Sequence, residues 1–368
     1  MPARTNVAWL HRINETRDRV GRMLRRTYYQ RFAKEPYELE RLSYEFICSL
    51  YRKTAAQLGL ETYMVGRVLC VAGRGKLFHI WECTTSLDNF ALFTITEDKI
   101  LIKKLFKESG LAVPEGRAFA WHDFSAGVQY AVSLGRPCVI KPAIESGGGK
   151  GVTTRLIERA DIARAFRFAG IFSAQVLIEE FLAGDCYRFL IYKGRCLSVL
   201  RRELPTVTGN GVSTVRELVE AENLNRRLPP DAHEGDRFIY PMPIDSGASR
   251  QLRRQGRGWN SVLEHGEKLH LAGPSSVTYG CTYAEVLHQT HPELIRAAEQ
   301  AAHSLGMKIA GVDIIAPRID APTYNILEIN IGPGIDIHYL VANRDQATDP
   351  IRTILTDYFE MGEAGPAE

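Results

Sequence analysis

The sequence predicts an α+β protein of two lobes and a cleft, preceded by a small N-terminal α/β domain. Three observations carry that class. The 368 residues are 45% hydrophobic and 24% charged, near the globular average and long enough for two or three lobes. Short strand-like runs alternate with stretches of helical periodicity along the chain. No apolar run reaches the ~18 residues of a membrane helix, and the start, MPARTNVAWLHRINETRDRV, has no signal-peptide core. The expected divisions are a basic segment over 1–35, the α/β domain over 36–95, the two-lobed domain over 96–345, and a helix and tail over 346–368.

Each element follows from local signals. Residues 37–58 carry apolar side chains at helical spacing, with Gly59 as the stop. ETYMVGRVLCVA and KLFHIWEC read as two strands joined at Gly73-Arg74-Gly75. Residues 97–109 form a short helix closed by Gly110, with Pro114 beyond it. PCVIKPA is a strand entering the loop SGGGKGV, residues 158–169 are a helix, and QVLIEEFL is a buried strand that breaks at Ala183-Gly184-Asp185. CYRFLIYKGRCLSVLRREL is a hairpin turning at Lys193-Gly194. TGNGVSTVRELVEAEN is a turn and a helix with Ser213 as N-cap. Residues 226–282 read as polar loop and 283–305 as a helix. GMKIAGVDIIAPRI and TYNILEIN form a hairpin across Asp320-Ala321-Pro322. The last 20 residues hold a short helix and an acidic tail.

Charge and cysteine usage exclude little but are uneven. The net charge is +3, too weak to argue for nucleic acid. Residues 1–35 hold nine Lys/Arg and three Asp/Glu, so the remaining chain is slightly acidic. The run Arg250-Gln251-Leu252-Arg253-Arg254 reads as a solvated face. Seven cysteines without a CxxC pair fit reduced thiols in a cytoplasmic protein.

Three constellations carry chemistry. Lys141 precedes Ser146-Gly147-Gly148-Gly149-Lys150-Gly151. Consecutive glycines let backbone N–H groups approach an anion, and flanking lysines supply charge for phosphate oxygens. It lacks the Walker A spacing, and read alone it also fits a surface loop. Second, Val176-Leu177-Ile178-Glu179-Glu180-Phe181-Leu182 is an apolar strand ending in carboxylates, which suits an adenine slot; solvated acids at a strand end are the plainer alternative. Third, Glu328 and Asn330 are two apart and face the same way. Asp313 lies in the apolar strand IAGVDII, where an unpaired carboxylate is costly. Two carboxylates and an amide oxygen suit Mg²⁺; a charged pair facing solvent is the alternative. Gly332-Pro333-Gly334 permits a tight turn beside them.

The order of these motifs resembles the ATP-grasp superfamily. ITEDKILIKKLFKESGLAVPEG, GNGVSTVRELVEAEN, PIDSGASRQLRRQGRGWNSVLEHGEKLHL and HPELIRAAEQAAHSLGMKIAGVDII are similar to the ATP-grasp half of cyanophycin synthetase and of bifunctional glutathione synthase, over about residues 85–340. The resemblance implies two lobes clasping ATP, with two Mg²⁺ ions. It implies that Lys99 and Lys141 hold phosphates and that the loop from Ser146 to Val152 (with Gly147, Gly148, Gly149, Lys150 and Gly151) is a lid. It implies that Glu179 receives the adenine amino group, with Glu180, Phe181 and Leu182 as hinge. Asp313, Glu328 and Asn330 match metal ligands. Arg188 and Arg202 match arginines that steady the transferring phosphoryl group. The implied reaction is carboxylate–amine ligation through an acyl phosphate; a catalytically idle nucleotide-binding protein is the alternative.

The chain departs from that pattern at several points. The Mur-ligase-like half of cyanophycin synthetase is expected to be absent, since only 38 residues follow Asn330. Ser276-Val277-Thr278-Tyr279-Gly280-Cys281 stands where the family reads NLSTGG, and Pro333-Gly334-Ile335-Asp336-Ile337-His338 where it reads PGxRMH. Tyr279, Gly280, Gly334, Asp336 and His338 are therefore candidate substrate residues. Asp336 in place of a cation favours a cationic substrate group, or else faces solvent. The ribose contact is expected from Asp185, with Cys186 at the position where the family has an acid. The expected partners are amino acid or peptide substrates and a second copy in a homodimer, with neither nucleic acid nor membrane.

Overall fold

The structure is a computed structural model that describes residues 36–144, 149–226, 240–272 and 280–360. The basic segment 1–35 and the tail lie outside these residues, as do loop residues Ser146, Gly147 and Gly148 and candidate residue Tyr279. Helix α1 (Pro36–Gln57) ends where Gly59 takes φ +68°, a conformation open to glycine. The expected strand over 61–72 is instead a hairpin. β1 (Glu61–Val65) and β2 (Val68–Gly73) pair across Gly66-Arg67, and β3 (Lys76–Trp81) and β4 (Thr84–Thr85) complete a four-stranded meander. Gly66 at φ +59° supplies the turn that breaks the apolar run.

Helix α2 (Phe90–Thr96) buries no residue, whereas α3 (Lys99–Glu108) buries Ile102 and Phe106. There follow β5 (Gly116–Ala120), α4 (Phe124–Ser133), β6 (Cys138–Pro142), β7 (Thr153–Leu156), α5 (Arg159–Phe172) and β8 (Gln175–Glu180). Their strands form an antiparallel sheet in the order β5-β8-β6-β7. Val128, Ile162 and Phe166 of the helices pack on Ile140, Val176 and Ile178 of the sheet, burying about 1.5–3 kcal/mol per large side chain. Within the described residues, 97–100 and 115–181 form one compact unit.

The second unit comprises 39–96, 101–114 and the described residues from 182 onward. It contains β9 (Asp185–Tyr192), β10 (Arg195–Glu203), β11 (Thr206–Thr208), α6 (Val215–Arg226), α7 (Ser246–Arg254), β12 (Lys268–His270), β13 (Thr282–Glu285), α8 (Pro292–Ser304), β14 (Ile309–Ala316), β15 (Asn325–Asn330) and α9 (Pro350–Tyr358). Its main sheet runs β13-β10-β9-β14-β15. Strand alternation divides the side chains between two faces. Tyr187, Phe189, Ile191, Val312 and Ile314 meet α8 and α3 on one face. Leu190, Tyr192 and Ile309 meet α1, α9 and the inner face of the meander on the other.

Residues 206–272 are more ordered than their polarity suggests. β11 pairs with β12, and Val207, Val215, Leu252, Leu263 and Leu271 share a small core. The helix expected over 283–305 begins only at Pro292; Thr282–Glu285 is a strand, and His291 accepts a hydrogen bond from the Glu293 amide as N-cap. The cap of α6 is Thr214 rather than Ser213. Thr214 Oγ1 accepts from the Glu217 amide, and Glu217 accepts from the Thr214 amide at 2.8 Å, a reciprocal capping box. Ser213 Oγ only accepts from Asn210. Thr214→Ala should therefore cost about 1 kcal/mol and Ser213→Ala only a few tenths of that, as measured by urea denaturation.

Candidate functional site

In the first unit the candidate phosphate residues gather where α3 meets β6. Asp98 bridges Ile144, and the Lys99 amide donates to Ala143 O at 3.0 Å. Lys99 thus sits at the start of α3 beside the end of the strand carrying Lys141. Lys141 and Glu179 occupy the same face of adjacent strands, and their buried ion pair measures 2.8 Å. The loop returns through Gly149 and Gly151, both at positive φ, with Val152 N donating to Gly149 O. A Cβ on Gly151 would lie 2.7 Å from Phe172 and Pro142, so the close approach demands glycine. Lys150 is exposed.

The strand end after Glu179 is tied down. Glu180 N donates to Glu115 O and Phe181 N to Pro137 O, each at 2.9 Å. The Glu180 carboxylate pairs with Arg136 at 2.8 Å and accepts from the Glu115 amide. Arg155 lies over the Phe181 ring at 5.0 Å. The amides of Glu180 and Phe181 are therefore both engaged within the unit. Leu182 begins the second unit.

In the second unit a single cross-strand row runs Glu285–Leu200–Arg188–Asp313–Glu328 over β13, β10, β9, β14 and β15. Asp313 is 3% exposed. It accepts from Arg188 through both carboxylate oxygens and from Arg202 Nη1 at 3.1 Å. Burial pushes the Asp313 carboxyl up, but Arg188 and Arg202 more than offset this and hold it at about 2. Arg188 Nη1 also donates to Pro333 O at 2.7 Å. A Cβ on Gly311 would lie 2.8 Å from that same nitrogen, so glycine there makes room for the guanidinium.

Glu328 and Asn330 share this face. The register shifts after Asp313, with Asp313 opposite Glu328 and Ile314 opposite Ile326. Leu327 is the extra residue of a bulge, and bulges re-aim neighbouring side chains. Asn330 Nδ2 donates to Gly311 O and Glu328 Oε1, each at 3.4 Å, which turns its carbonyl oxygen away from both. Among the described residues no group of three His, Cys, Asp or Glu side chains is placed to hold a metal. The set of two carboxylates and an amide oxygen nevertheless fits a hard cation. Asp185, the expected ribose contact, is exposed on the opposite face of β9, and Cys186 stands opposite Arg202 on the Arg188 face.

The remaining candidates lie nearby in the same unit. Gly334, at φ +65°, starts a 3₁₀ turn over Ile335–Tyr339. Asp336 is 5% exposed, so it does not face solvent. Burial lifts its carboxyl to about 6 against backbone amides, Ser43 and Arg188, which pull it down. His338 is fully buried and its Nδ1 meets Ser198 Oγ; Ser198 in turn donates to Glu285. Because Ser198 donates onward, its oxygen accepts from His338 Nδ1–H, leaving Nε2 as the unprotonated nitrogen. Burial, with Arg188 and Arg202 beside it, holds the His338 pKa well below the usual range. Gly280 O accepts from the buried Arg226 at 2.7 Å. Ser198, Glu285 and Tyr283 went unnoticed in the sequence; the one available signal was polar residues inside the apolar runs CLSVL and TYAEV.

Comparison with known proteins places these features in a family. Residues 98–187 match the family described as the carbamoyl-phosphate synthase L chain, ATP binding domain. A cyanophycin synthetase of Geminocystis herdmanii is 31% identical over 248 residues, 66% of this chain and 28% of that protein. A glutathione biosynthesis bifunctional protein of Streptococcus mutans is 31% identical over 264 residues, 69% of this chain and 34% of that protein. The chain thus spans about a third of these relatives. A crystal structure of a bifunctional glutathione synthetase from Pasteurella multocida aligns with TM-score 0.55 and 23% identity, over 84% of this chain and 43% of that one, a likeness of fold.

The Asp336 carboxyl generates a pH test. Its folded value of about 6 lies above the ordinary 3.8, so between those values the folded chain holds a proton the unfolded chain has released. Stability therefore falls as pH rises through that window. Urea denaturation from pH 4 to 7 should show the wild type losing on the order of 2–3 kcal/mol relative to Asp336→Asn. Parallel curves would remove the buried, shifted carboxyl.

Proposed function

This chain belongs to the ATP-grasp superfamily, and on that premise we propose that it is an ATP-dependent ligase joining a carboxylate to an amine. The substrates are an amino acid or short peptide and an amine, and the enzyme works in the cytoplasm. The observation that carries the reading is the buried Asp313, in register with Glu328 and held between Arg188 and Arg202. So costly a buried polar cluster, with Glu328 and Asn330 on the same face, supports a site for a charged ligand.

The γ-phosphoryl group of ATP passes to the substrate carboxylate. The bond to the ADP oxygen breaks and one to the carboxylate oxygen forms. The amine then attacks the acyl carbon, phosphate leaves, and the amine nitrogen loses a proton to give the amide. Phosphorylation is needed because a carboxylate is a poor electrophile. The protein's part is positioning and charge stabilisation. Lys99 and Lys141 bind phosphate oxygens, with Glu179 orienting Lys141. Arg188 and Arg202 lend charge to the transferring group and the acyl phosphate. Asp313, Glu328 and Asn330 would hold Mg²⁺, which when bound offsets charge on crowded phosphate oxygens. Gly280, Gly334, Asp336 and His338 serve the substrate side.

The test is phosphate release with ATP, Mg²⁺ and pairs of amino acids and dipeptides, with product mass measured. Amide-linked product with ADP is expected for at least one pair; none across the panel sinks the reading. Glu328→Ala should lower Mg²⁺-dependent turnover about 100-fold while the melting temperature stays near wild type. Unchanged turnover removes Glu328 from the site.

A further inference from the structure

Glu285, Ser198 and His338 form a chain of hydrogen bonds in which every member is buried. Glu285 is its fixed end. Its Oε1 accepts from the amides of Val199 at 2.9 Å and Leu287 at 3.1 Å, and its Oε2 accepts from Ser198 Oγ. Asn343 holds the Glu285 backbone, accepting from its amide and donating to its carbonyl, each at 2.8 Å. Ser198 Oγ spends its one proton on Glu285, so its oxygen accepts from His338 Nδ1 at 2.5 Å. A neutral imidazole carries one proton, and this chain places it on Nδ1. Nε2 therefore presents a lone pair, and among the described residues it is buried without a hydrogen-bond partner. Leaving a buried acceptor unpaired is costly.

Strand alternation puts His338 over the charged face of the sheet. Ser198 and Arg202 share one face of β10, and Arg188 stands on that face of β9, opposite Leu200. His338 reaches Ser198 from the 3₁₀ turn over Ile335–Tyr339, and Arg188 Nη1 ties down Pro333 just before that turn. The turn is thus pinned on both sides, with Nδ1 committed to Ser198. The charges that act on the ring are those of Arg188 and Arg202, the two arginines assigned above to the transferring phosphoryl group.

We infer, on the ligase reading above, that His338 Nε2 accepts the proton of the attacking amine and that Glu285, through Ser198, is the positioning residue that keeps this nitrogen in its accepting form. The lone pair of the neutral amine forms the C–N bond. The acyl C–O bond breaks, and its electron pair leaves with phosphate. The N–H proton passes to Nε2, giving an imidazolium whose Nδ1–H still donates to Ser198. The departing phosphate then takes the proton and restores the neutral ring. Arg188 and Arg202 hold the ring neutral beforehand, and the anionic phosphate they bind offsets that effect when a base is needed.

Glu285→Gln separates this role from packing. The two amides at Oε1 still require an oxygen there, so the new NH₂ group faces Ser198 and donates to it. Ser198 must then donate to His338 Nδ1, and the ring proton moves to Nε2. A nearly unchanged shape thus turns the acceptor into a donor. Nitrogen-15 NMR of labelled histidine should show the Nδ1–H tautomer for the wild-type signal that is lost in His338→Asn. The Nε2–H tautomer should replace it in Glu285→Gln. In the ligation assay hydroxylamine traps acyl phosphate without help from a base, so hydroxamate reports the first step alone. The ratio of amide to hydroxamate should fall about 100-fold in Glu285→Gln. It should fall as far in His338→Asn, whose amide can still donate to Ser198 but lacks Nε2. If one variant fails to fold, the other decides. A wild-type Nε2–H tautomer overturns the inference, as does a tautomer unmoved by Glu285→Gln. An unchanged ratio beside a wild type that makes both products overturns it alone and leaves the ligase standing. A wild type that makes neither hydroxamate nor ADP overturns the ligase and this role together.

Discussion

The ion pair between Arg188 and Asp313 is the constraint around which the second unit is arranged. Both residues are nearly buried and directly opposite each other on adjacent central strands. Desolvating two charges costs several kcal/mol each, and their attraction offsets that only when the remaining donors and acceptors are filled. The neighbours fill them: Arg202 Nη1 adds a second donor to Asp313 Oδ2, and Pro333 O accepts from Arg188 Nη1. The turn at Gly332-Pro333-Gly334 is thus fixed by the guanidinium, and Gly311 is needed because any side chain there would collide with it.

The same two-residue period that seats this cluster also builds the core. On β9, Tyr187, Phe189 and Ile191 fill one face while Arg188 stands among Leu190 and Tyr192 on the other. A slip of one residue would put Arg188 into the α8 core and Phe189 into the polar row. Register is therefore set by the charge pair and the apolar packing together. The bulge at Leu327 adjusts it locally, bringing Glu328 opposite Asp313 while Ile326 and Ile329 stay in the core.

Legibility in the sequence followed how local the cause was. The hairpin at Lys193-Gly194, the end of α1 at Gly59 and the strand–loop at Lys141 were readable because one or two residues determine them. Glu328 and Asn330 sharing a face was readable from spacing alone. The break at Gly66-Arg67 was missed because apolar residues resume immediately on its far side. The strand at Thr282–Glu285 was missed because it exists only by pairing with Leu200–Glu203 across the sheet. Asp185 was a natural choice as an acid beside Tyr-Arg. The two-residue period of β9 puts Cys186, and not Asp185, on the face that carries Arg188. Asp336 could not be assigned to core or solvent because nothing local distinguishes a buried 3₁₀ turn from an exposed loop.

The buried surroundings of Asp336 follow from charge balance. Burial raises the Asp336 carboxyl, and Arg188, already paired with Asp313, only partly offsets this. His338, facing Arg188 and Arg202, stays neutral. Among the described residues Tyr51 Oη, Tyr283 Oη and His338 Nε2 are buried without a hydrogen-bond partner, and both tyrosines feel the Asp336 charge. Buried polar atoms left unpaired cost about 1–3 kcal/mol each. The physical consequence is directional. Positive charge beside Asp336 would lower its pKa, and negative charge would raise it further.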